Sequence, residues 1–302
     1  MRIALAIPIH NGLTYTKNTL ENLELAIAAA RGALEVEIVV TDDGSTDKSA
    51  EWIHTNRPDV HILRGSGDLW WSGAMNQCAR YGLDVLGADY LLCWNNDIIC
   101  ALDYFTNLSR FLHCEPRPAL VGSKVYLMDP PDEIFAMGCY YDSRTGRQRI
   151  IGSECVDSGE FSLPIQADWT GGMGTLIRRD VFQRIGFWDA ATFPQYHADC
   201  DFCLRAKGAG FNLTVQPGLR IWNDKTSSGI QHLDRLSLLL RSFIRLNSNY
   251  HVRTQWRFCR RYGTSWRAYR HLAAFYLTYI GGFVKWNVLK LTGISRPVMA
   301  RR

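Results

Sequence analysis

Two apolar runs in the chain end in polar clusters that carry carboxylates. Residues 36–40 (VEIVV) lead to Asp42 and Asp43, and residues 90–92 (YLL) lead to the sequence Asn-Asn-Asp at 95–97. Short apolar runs of this kind are typical of buried strands. In an open α/β sheet, ligands bind in the crevice at the carboxyl ends of the strands. The two clusters are therefore predicted to share one site, where a carboxylate can hold a divalent metal against a phosphate.

The periodicity of apolar residues in the first third of the chain alternates between strand and helix. Strands are predicted at residues 3–9, 36–40, 60–63 and 90–94. The helices between them are predicted to be capped by Thr14 or Thr16, by Asp47 and by Ser72, and Gly82 is predicted to end the last of them. This alternation predicts a parallel sheet with right-handed crossovers. Strands at 119–126 and 133–140 and short helices after Asp180 and Asp199 follow. The predicted fold class is α/β, a mixed sheet flanked by helices and followed by a helical C-terminal extension.

Charge divides the chain into two parts. Residues 229–302 contain 14 Lys or Arg and one acid, which gives a net charge of +13, whereas residues 1–228 contain 20 bases and 28 acids, which gives −8. A length of 302 residues fits one large domain with an appendage. We therefore predict a main domain at 1–228 and a basic, aromatic helical extension at 229–302.

Cysteine usage and hydropathy indicate a reducing compartment and no membrane span. The nine cysteines are scattered without the spacing of a disulfide framework, which predicts free thiols. Met1-Arg2 leads directly into a predicted strand, so no signal peptide is expected. The longest uncharged apolar stretch, residues 272–284, is shorter than the roughly 20 residues that span a bilayer. These features predict a cytoplasmic protein.

Several segments, in order, resemble family-2 glycosyltransferases of the GT-A fold, whose core is a Rossmann-like mixed sheet. They are IALAIPIHNG from residue 3, TDDGSTD from 41, GDLWWSGAMN from 67, LLCWNND from 91, WTGGMGTLIRRDVFQRIGFWDA from 169 and YHADCDFCLRA from 196. The resemblance implies a nucleotide-sugar-binding half at 1–110 and an acceptor-side half at 111–228. The Asn-Asn-Asp variant at 95–97 resembles bacterial rhamnosyltransferases of surface polysaccharide assembly, although the sequence does not fix the sugar.

The donor pocket is assigned by this resemblance. The second acidic cluster of the family contacts the nucleobase, a role that falls here to Asp42 or Asp43. The residues predicted to bind the nucleotide sugar are Pro8, His10, Asn11, Asp42, Asp43, Asp68, Asn76, Asn95 and Asn96. The alternative is that the segment after Thr41 forms only a turn, with Asp47 as a helix cap. Trp70 and Trp71 could line the same cleft or belong to the core.

The metal motif Asp-x-Asp of the family reads Asn-Asn-Asp at 95–97 in this chain. Asp97 is then the one anionic ligand for Mg²⁺ or Mn²⁺, which accept oxygens from carboxylates, diphosphates and waters. A later ligand of the fold is often a His, and Asn223 or Asp224 stands in the comparable stretch. The alternative is a polar turn that binds no metal.

The resemblance places the catalytic base in the segment YHADCDF, which begins at residue 196. Asp199 at a helix start can accept the acceptor proton, and His197 is the rival base. A simple N-cap is the alternative role of Asp199. Asp201 precedes Arg205 by four residues, which predicts an ion pair on one helix face. The spacing of His197, Cys200 and Cys203 is also a weak zinc pattern.

The function implied is inverting transfer of a sugar from a nucleotide-diphosphate donor to a hydroxyl of a glycan or lipid-linked acceptor. One alternative is a non-catalytic subunit that binds nucleotide sugars or serves as a scaffold in glycan assembly. The other is a sugar nucleotidyltransferase, which needs a basic, Gly-rich loop that the segment after His10 lacks. Interleaved Arg and aromatic residues at 253–270 predict an anionic membrane surface as partner, on the inner face of the cell membrane, rather than nucleic acid. A helical cover on the main domain is the alternative, and the oligomeric state stays open.

Overall fold

The computed structural model describes residues 1–115, 117–224 and 235–291, except the side chain at 291. The strands are β1 (Arg2–Ile9), β2 (Glu35–Asp42), β3 (His61–Arg64), β4 (Tyr90–Cys93), β5 (Ile98–Cys100), β6 (Leu120–Leu127), β7 (Glu133–Ala136), β8 (Cys139–Asp142), β9 (Arg147–Ile150), β10 (Cys155–Val156), β11 (Ile165–Ala167), β12 (Thr175–Arg178) and β13 (Leu213–Asn223). The helices are α1 (Leu13–Ala29), α2 (Ser49–Asn56), α3 (Trp70–Arg80), α4 (Tyr104–Cys114), α5 (Arg179–Ile185), α6 (Ala198–Gly208), α7 (Leu236–Ile244), α8 (Val252–Tyr262) and α9 (Trp266–Leu291).

One large mixed sheet forms the centre of the N-terminal part of the chain. The strands β3, β2, β1 and β4 lie side by side and run parallel, with α1, α2 and α3 as the connections between them. β12 continues the sheet antiparallel to β4, and β6 follows antiparallel to β12. The prediction of an α/β fold with a mixed sheet flanked by helices is confirmed. The carboxyl ends of β1, β2 and β4 meet at one edge, where the polar clusters follow.

The core of the sheet explains why its central strands read as continuous apolar runs. Ile3, Leu5 and Ile7 of β1 are fully or almost fully buried, because helices cover both faces of a parallel sheet. Trp94, which directly follows β4, packs edge-on against Tyr104 with ring centroids 5.4 Å apart. The strand end that carries the second polar cluster is thereby fixed by packing.

The N-terminus of α1 is not capped as the sequence predicted. The helix begins at Leu13, after Gly12 in a left-handed conformation (φ 82°), and no side chain of the N-cap residue bonds to it. The hydroxyl of Thr16 donates to the carbonyl of Gly12 instead. The backbone N–H of Leu13 donates to Asp47 Oδ2 at 2.7 Å. A carboxylate from beyond β2 therefore satisfies this helix end, which no local pattern can reveal.

α3 also differs from its prediction at both ends. It begins at Trp70, and the hydroxyl of the buried Ser72 donates to the carbonyl of Phe193 at 2.5 Å instead of capping the helix. The helix does not stop at Gly82 but continues as a π-helical turn, Tyr81–Val85. A Cβ at Gly82 would lie 2.4 Å from the Cβ of Ala4. This glycine therefore serves the close approach of helix to strand and is not a stop signal.

The longest strand of the structure, β13, was not predicted from the sequence. It pairs parallel with β6 and antiparallel with β5 and β11. Pro217 and Gly218 in its middle resemble a turn signal, and the register with β6 shifts between Gln216 and Arg220. Proline and glycine are tolerated within a strand at such bulges. β13 brings the segment after Ile221 to the edge of the sheet where the carboxyl ends of β1, β2 and β4 lie.

The chain forms two compact units. The N-terminal unit comprises Met1–Tyr140 and Arg149–Thr226, and the C-terminal unit comprises Tyr141–Gln148 and Ser227–Arg302. Within the C-terminal unit, the ring of Tyr141 packs edge-on against Phe258 and Tyr262 of α8. The predicted boundary at 228/229 lies outside the described residues, so that division stays a prediction.

Two further features of the structure concern the apolar length of its helices and the disulfide bonding of its cysteines. No helix among the described residues is long and apolar enough to cross a membrane. All nine cysteines fall within the described ranges and each is free. The prediction of free thiols is confirmed.

A buried ion pair anchors the loop after β10, and we predict that it matters for stability. Lys124, whose side chain is 3% exposed, donates to Asp157 Oδ2 at 2.5 Å and to the carbonyl of Phe161 at 3.1 Å. Asp157→Ala leaves this ammonium buried without its counter-ion, so the free energy of unfolding should fall by about 3–5 kcal/mol. Urea denaturation at neutral pH measures the change.

A surface ion pair provides the matched control, and pH provides a second test. Asp103 and Arg220 form a pair whose side chains are 51% and 43% exposed. Asp103→Ala should therefore change the free energy of unfolding by less than about 1 kcal/mol. The hydrogen bond from Lys124 holds the pKa of Asp157 below its usual range. The stabilisation is therefore present above the unfolded-state pKa and is lost as pH falls through the folded-state pKa. Equal losses in both variants would contradict the role of the buried pair.

Candidate active site

The loops after β1 and β2 are joined by hydrogen bonds at the edge of the sheet where the carboxyl ends of these strands lie. The backbone N–H of Asn11 donates to Ser45 Oγ at 2.8 Å, and the side-chain oxygen of Asn11 accepts from the N–H of Thr46 at 2.9 Å. His10 Nδ1 lies 2.7 Å from the carbonyl of Asp43. Pro8 pairs with Thr41 in the β1–β2 ladder. The structure thus brings the predicted donor-pocket residues of both strands to one place.

Asp43 organises the next loop as well as ending β2. Its buried carboxylate accepts backbone N–H groups from Gly67 at 2.7 Å, Leu69 at 2.8 Å and Trp70 at 3.0 Å. A Cβ at Gly65 would lie 2.5 Å from Asp43 Oδ1, so only glycine fits there. The carboxylate thereby fixes the start of α3. No local sequence pattern indicated this role, and contact of Asp43 with a nucleobase stays a prediction.

The other predicted donor-pocket residues of this region have definite partners. Asp42 Oδ1 accepts the backbone N–H of Ser45 at 2.9 Å, as expected for a turn. The side-chain amide of Asn76 both donates to and accepts from the backbone of Trp188, each at 2.9 Å. Asp68 is exposed and accepts the indole N–H of Trp70 at 3.2 Å. Asn76 thus holds α3 against the segment after α5.

The Asn-Asn-Asp cluster occupies the short connection between β4 and β5. Asn95 Oδ1 accepts the indole N–H of Trp71 at 3.0 Å, and Asn96 Nδ2 donates to Thr16 Oγ1 at 3.1 Å. Asp97 Oδ1 is buried and has no hydrogen-bond partner among the residues that the structure describes. Burial raises the pKa of Asp97 to about 6. This one oxygen lacks the donor that a buried anion needs.

Asp224 lies beside Asp97 at the end of β13. Its backbone N–H donates to the carbonyl of Asp97 at 3.3 Å, and its carboxylate accepts the hydroxyl of Tyr15 at 3.0 Å. The charge of Asp224 raises the pKa of Asp97 further, after the larger effect of burial. The register of β13 with β5 pairs Asn223 with Ile98 and so sets this proximity. The structure brings together two carboxylates that are far apart in sequence.

These two carboxylates fit a hard divalent cation that a ligand helps to hold. Within the described ranges, no group of three or more His, Cys, Asp or Glu could hold a metal ion by itself, and this includes the zinc pattern around Cys200. Mg²⁺ is usually bound by one or two carboxylates together with substrate phosphates and waters. The buried, unpartnered oxygen of Asp97 and the neighbouring charge of Asp224 match that type of site.

Asp199 lies at the start of α6. Its Oδ1 accepts the backbone N–H of Cys200 at 2.8 Å, and its Oδ2 accepts that of Gly172 at 3.3 Å. Burial raises the pKa of Asp199 to about 6, although these two hydrogen bonds act in the opposite direction. His197 precedes the helix in a left-handed conformation (φ 65°). Asp199 is therefore a fixed carboxylate that is more basic than an ordinary aspartate.

The ion pair predicted on α6 is confirmed. Arg205 Nε donates to the fully buried Asp201 at 2.8 Å. The same guanidinium donates to the carbonyls of Ile185 and Phe187. These bonds hold α6, and with it Asp199, against the segment after α5.

Comparison with known proteins assigns the family. The model of the family described as Glycosyl transferase family 2 matches residues 5–186, more than half of the chain. The chain belongs to glycosyl transferase family 2. The prediction of this family from the sequence segments is confirmed.

Known relatives of this family-2 chain agree with the assignment. The low-salt glycan biosynthesis hexosyltransferase Agl10 of Haloferax volcanii is 24% identical over 183 residues, which are 59% of this chain and 55% of the relative. The chain thus spans about half the length of the curated relative that it matches.

Two solved structures share the fold. GalNAc-T7 with UDP, GalNAc and Mn²⁺ has a TM-score of 0.55 at 14% identity, with 74% of this chain and 44% of that one covered. S. aureus TarS 1-349 has a TM-score of 0.52 at 13% identity, with 74% and 60% covered. The four-stranded parallel core with its antiparallel continuation is therefore the fold that glycosyltransferases of known structure also have.

Trp71 connects the Asn-Asn-Asp cluster with the segment around Asp199. From the sequence, this tryptophan could either line the cleft or belong to the core. Its indole N–H bonds to Asn95, and its backbone N–H donates to Gln195 Oε1 at 3.2 Å. A Cβ at Gly172 would lie 2.1 Å from the Trp71 ring. Gly172 also donates to Asp199, so one tryptophan contacts both the Asn-Asn-Asp cluster and the turn that holds Asp199. The adjacent glycines at 171 and 172 were the sequence signal for this close packing.

Proposed function

We propose that this chain is an inverting glycosyltransferase that moves a hexosyl group from a nucleotide-diphosphate sugar to a hydroxyl of a glycan or lipid-linked acceptor. The observation that carries the proposal is the fixed, partly buried carboxylate of Asp199, joined through Trp71 to the strand end that carries Asp97. The name of the hexosyltransferase relative and the UDP and GalNAc of one structural neighbour support the class of donor.

In the proposed reaction, Asp199 is the general base. A carboxylate with a pKa near 6 is still mostly ionised at neutral pH and accepts a proton more readily than an ordinary aspartate. The backbone N–H groups of Gly172 and Cys200 hold its oxygens in place. The acceptor hydroxyl loses its proton to Asp199 as it attacks the anomeric carbon, and the nucleoside diphosphate leaves from the opposite face. A single displacement of this kind inverts the anomeric configuration.

Asp97 and Asp224 are the residues proposed to hold Mg²⁺ or Mn²⁺. The bound cation would neutralise the charge that develops on the departing diphosphate. The Mn²⁺ of the GalNAc-T7 structure supports a divalent cofactor. The side-chain N–H groups of Asn95, two residues before Asp97, are proposed to donate to the ribose or to the diphosphate.

The proposed donor pocket keeps the residues assigned from the sequence. The loops after β1 and β2 bind the base and ribose, and the start of α3 closes the same crevice. These residues are Pro8, His10, Asn11, Asp42, Asp43, Asp68, Asn76, Asn95 and Asn96. We further propose that the protein acts at an anionic membrane surface on the cytoplasmic side, since residues 229–302 carry a net charge of +13.

The test is release of nucleoside diphosphate from a panel of nucleotide-diphosphate hexoses. Slow hydrolysis of at least one donor in the presence of Mn²⁺, abolished by EDTA, is the expected result. Binding of a nucleoside diphosphate without any release, with or without glycan acceptors, would favour the non-catalytic subunit. Release of pyrophosphate from a sugar phosphate and a nucleoside triphosphate would favour the nucleotidyltransferase. The proposal fails in both cases.

A further inference from the structure

Two helices of the C-terminal unit expose apolar stripes. On α7 the exposed residues recur at every fourth position, and on α9 they recur at intervals of three and four. They are Leu236, Leu240 and Ile244 on α7 and Leu277, Ile280, Val284 and Val288 on α9. Such spacing places each set on one face of its helix. Scattered single apolar residues on a surface need no explanation, but two continuous stripes do.

The stripes are not the surfaces by which these helices pack together. α7 contacts α9 through Ser242, which accepts a hydrogen bond from the hydroxyl of Tyr279 at 2.9 Å. The ring of Phe243 packs against Tyr276 and Tyr279, with centroids 5.8 and 5.9 Å apart. Ile244 remains 75% exposed and Leu277 70% exposed. The contact between the helices therefore leaves both stripes uncovered.

A further face of α9 forms an open groove. The groove has a volume of about 540 Å³, and its lining includes Tyr250, Phe275, Tyr279, Phe283 and Trp286. α9 is thus apolar around most of its circumference between Arg270 and Lys285. A helix of this kind is normally buried against something apolar.

The charges around the stripes decide between two possible occupants. Residues 235–291 contain eleven Lys or Arg and no Asp or Glu. A second copy of the chain on this surface would bring cations against cations, since the segment offers no acids for ion pairs. An anionic bilayer matches both properties, because its phosphates pair with the arginines and its acyl chains cover the apolar stripes.

We propose that the exposed stripes of α7 and α9 insert into the headgroup region of an anionic membrane, with the helices lying on the surface. The proposal rests on the membrane partner suggested above and not on the proposed chemistry. It identifies the residues of the two stripes as those that enter the membrane. They are not the interleaved arginine and aromatic residues at 253–270 on which the sequence prediction of a membrane partner rests. Phe258 of that pattern is buried and contacts Tyr141 within the C-terminal unit.

The experiment is co-sedimentation of the full chain with vesicles, without donor or acceptor. The wild-type chain should bind phosphatidylglycerol–phosphatidylcholine vesicles and bind phosphatidylcholine vesicles much more weakly. The double variant Ile244→Ser, Leu277→Ser should bind at least about tenfold more weakly, because each side chain loses its burial in the membrane. Leu163→Ser is the matched control, since Leu163 is 73% exposed in the N-terminal unit, and its binding should equal that of the wild type.

Three outcomes would overturn the inference. They are no binding of the wild type to anionic vesicles at low salt, equal binding by the wild type and the double variant, and loss of a dimer in the double variant with vesicle binding unchanged. Circular dichroism and the thermal midpoint show whether the variant is folded, and single substitutions replace it if it is not. Vesicle binding in a chain that releases no nucleoside diphosphate would contradict the proposed chemistry and leave this inference standing.

Discussion

Asp199→Asn should lower the rate of sugar transfer by about 10²–10⁴-fold, the usual effect of removing a general base. The affinity for the donor should hardly change, because the base acts on the acceptor hydroxyl. The amide keeps the size of the side chain but cannot take the proton. Steady-state kinetics with varied donor and acceptor, together with nucleotide binding by calorimetry, separates the two effects. A matched loss of nucleotide affinity would contradict the assignment and indicate a structural role for Asp199.

The pH profile distinguishes Asp199 from His197. Because burial raises the pKa of Asp199 to about 6, kcat/KM at saturating Mn²⁺ should rise with pH up to about 6 and level off above it. His197→Gln is the control variant and should keep both the rise of kcat/KM with pH and most of the rate. If kcat/KM of His197→Gln no longer rises with pH, His197 is the base.

Asp199→Asn should not destabilise the protein at neutral pH. The folded-state pKa of Asp199 lies above the ordinary aspartate value of 3.8, so the folded state favours the protonated form. The contribution of this group to stability is therefore greatest below the unfolded-state pKa and is lost as pH rises through about 6. A shift of this size costs at most about 3 kcal/mol at neutral pH. Urea denaturation of Asp199→Asn should thus show a free energy of unfolding equal to or above that of the wild type.

Asp97→Asn should reduce metal-dependent turnover by at least about 10²-fold, the effect of losing one strong electrostatic contact to developing charge. It should also abolish the stabilisation that Mn²⁺ with a nucleoside diphosphate gives the wild type, which is about 2.7 kcal/mol at 100 times the dissociation constant. The reason is that Asp97 Oδ1 is buried without a partner among the described residues and is the proposed anchor of the cation. Thermal unfolding with and without both ligands measures the second effect independently of activity.

Asp84→Asn is the control for Asp97→Asn, because Asp84 is an exposed carboxylate in the π-helical turn after α3. Its turnover and its thermal shift should equal those of the wild type. Asp224→Asn should reduce turnover less than Asp97→Asn does, since Tyr15 already binds the Asp224 carboxylate. Near-normal turnover of Asp97→Asn at saturating Mn²⁺ would contradict the metal assignment.

The sequence by itself determined the parallel core and the edge of the sheet where the site lies. The apolar runs of β1, β2 and β4 are local signals, since each strand must bury both faces wherever it finally packs. The polar clusters that follow them, residues 42–43 and 95–97, then lie at the same edge of the sheet through topology alone. The family also followed from local segments in order, and the ion pair between Asp201 and Arg205 followed from helical spacing.

Only the tertiary structure decided how the site is assembled. The carboxylate of Asp47 reaches the start of α1, that of Asp43 holds the loop before α3, and β13 brings Asp224 to Asp97. Each of these contacts joins residues that are far apart in sequence and depends on the packing of whole elements. Pro217 and Gly218 read locally as a turn, yet pairing with β6 holds them inside a strand. Periodicity reports which face of an element is buried, whereas the partner of each polar group is set only when the sheet and its helices close around it.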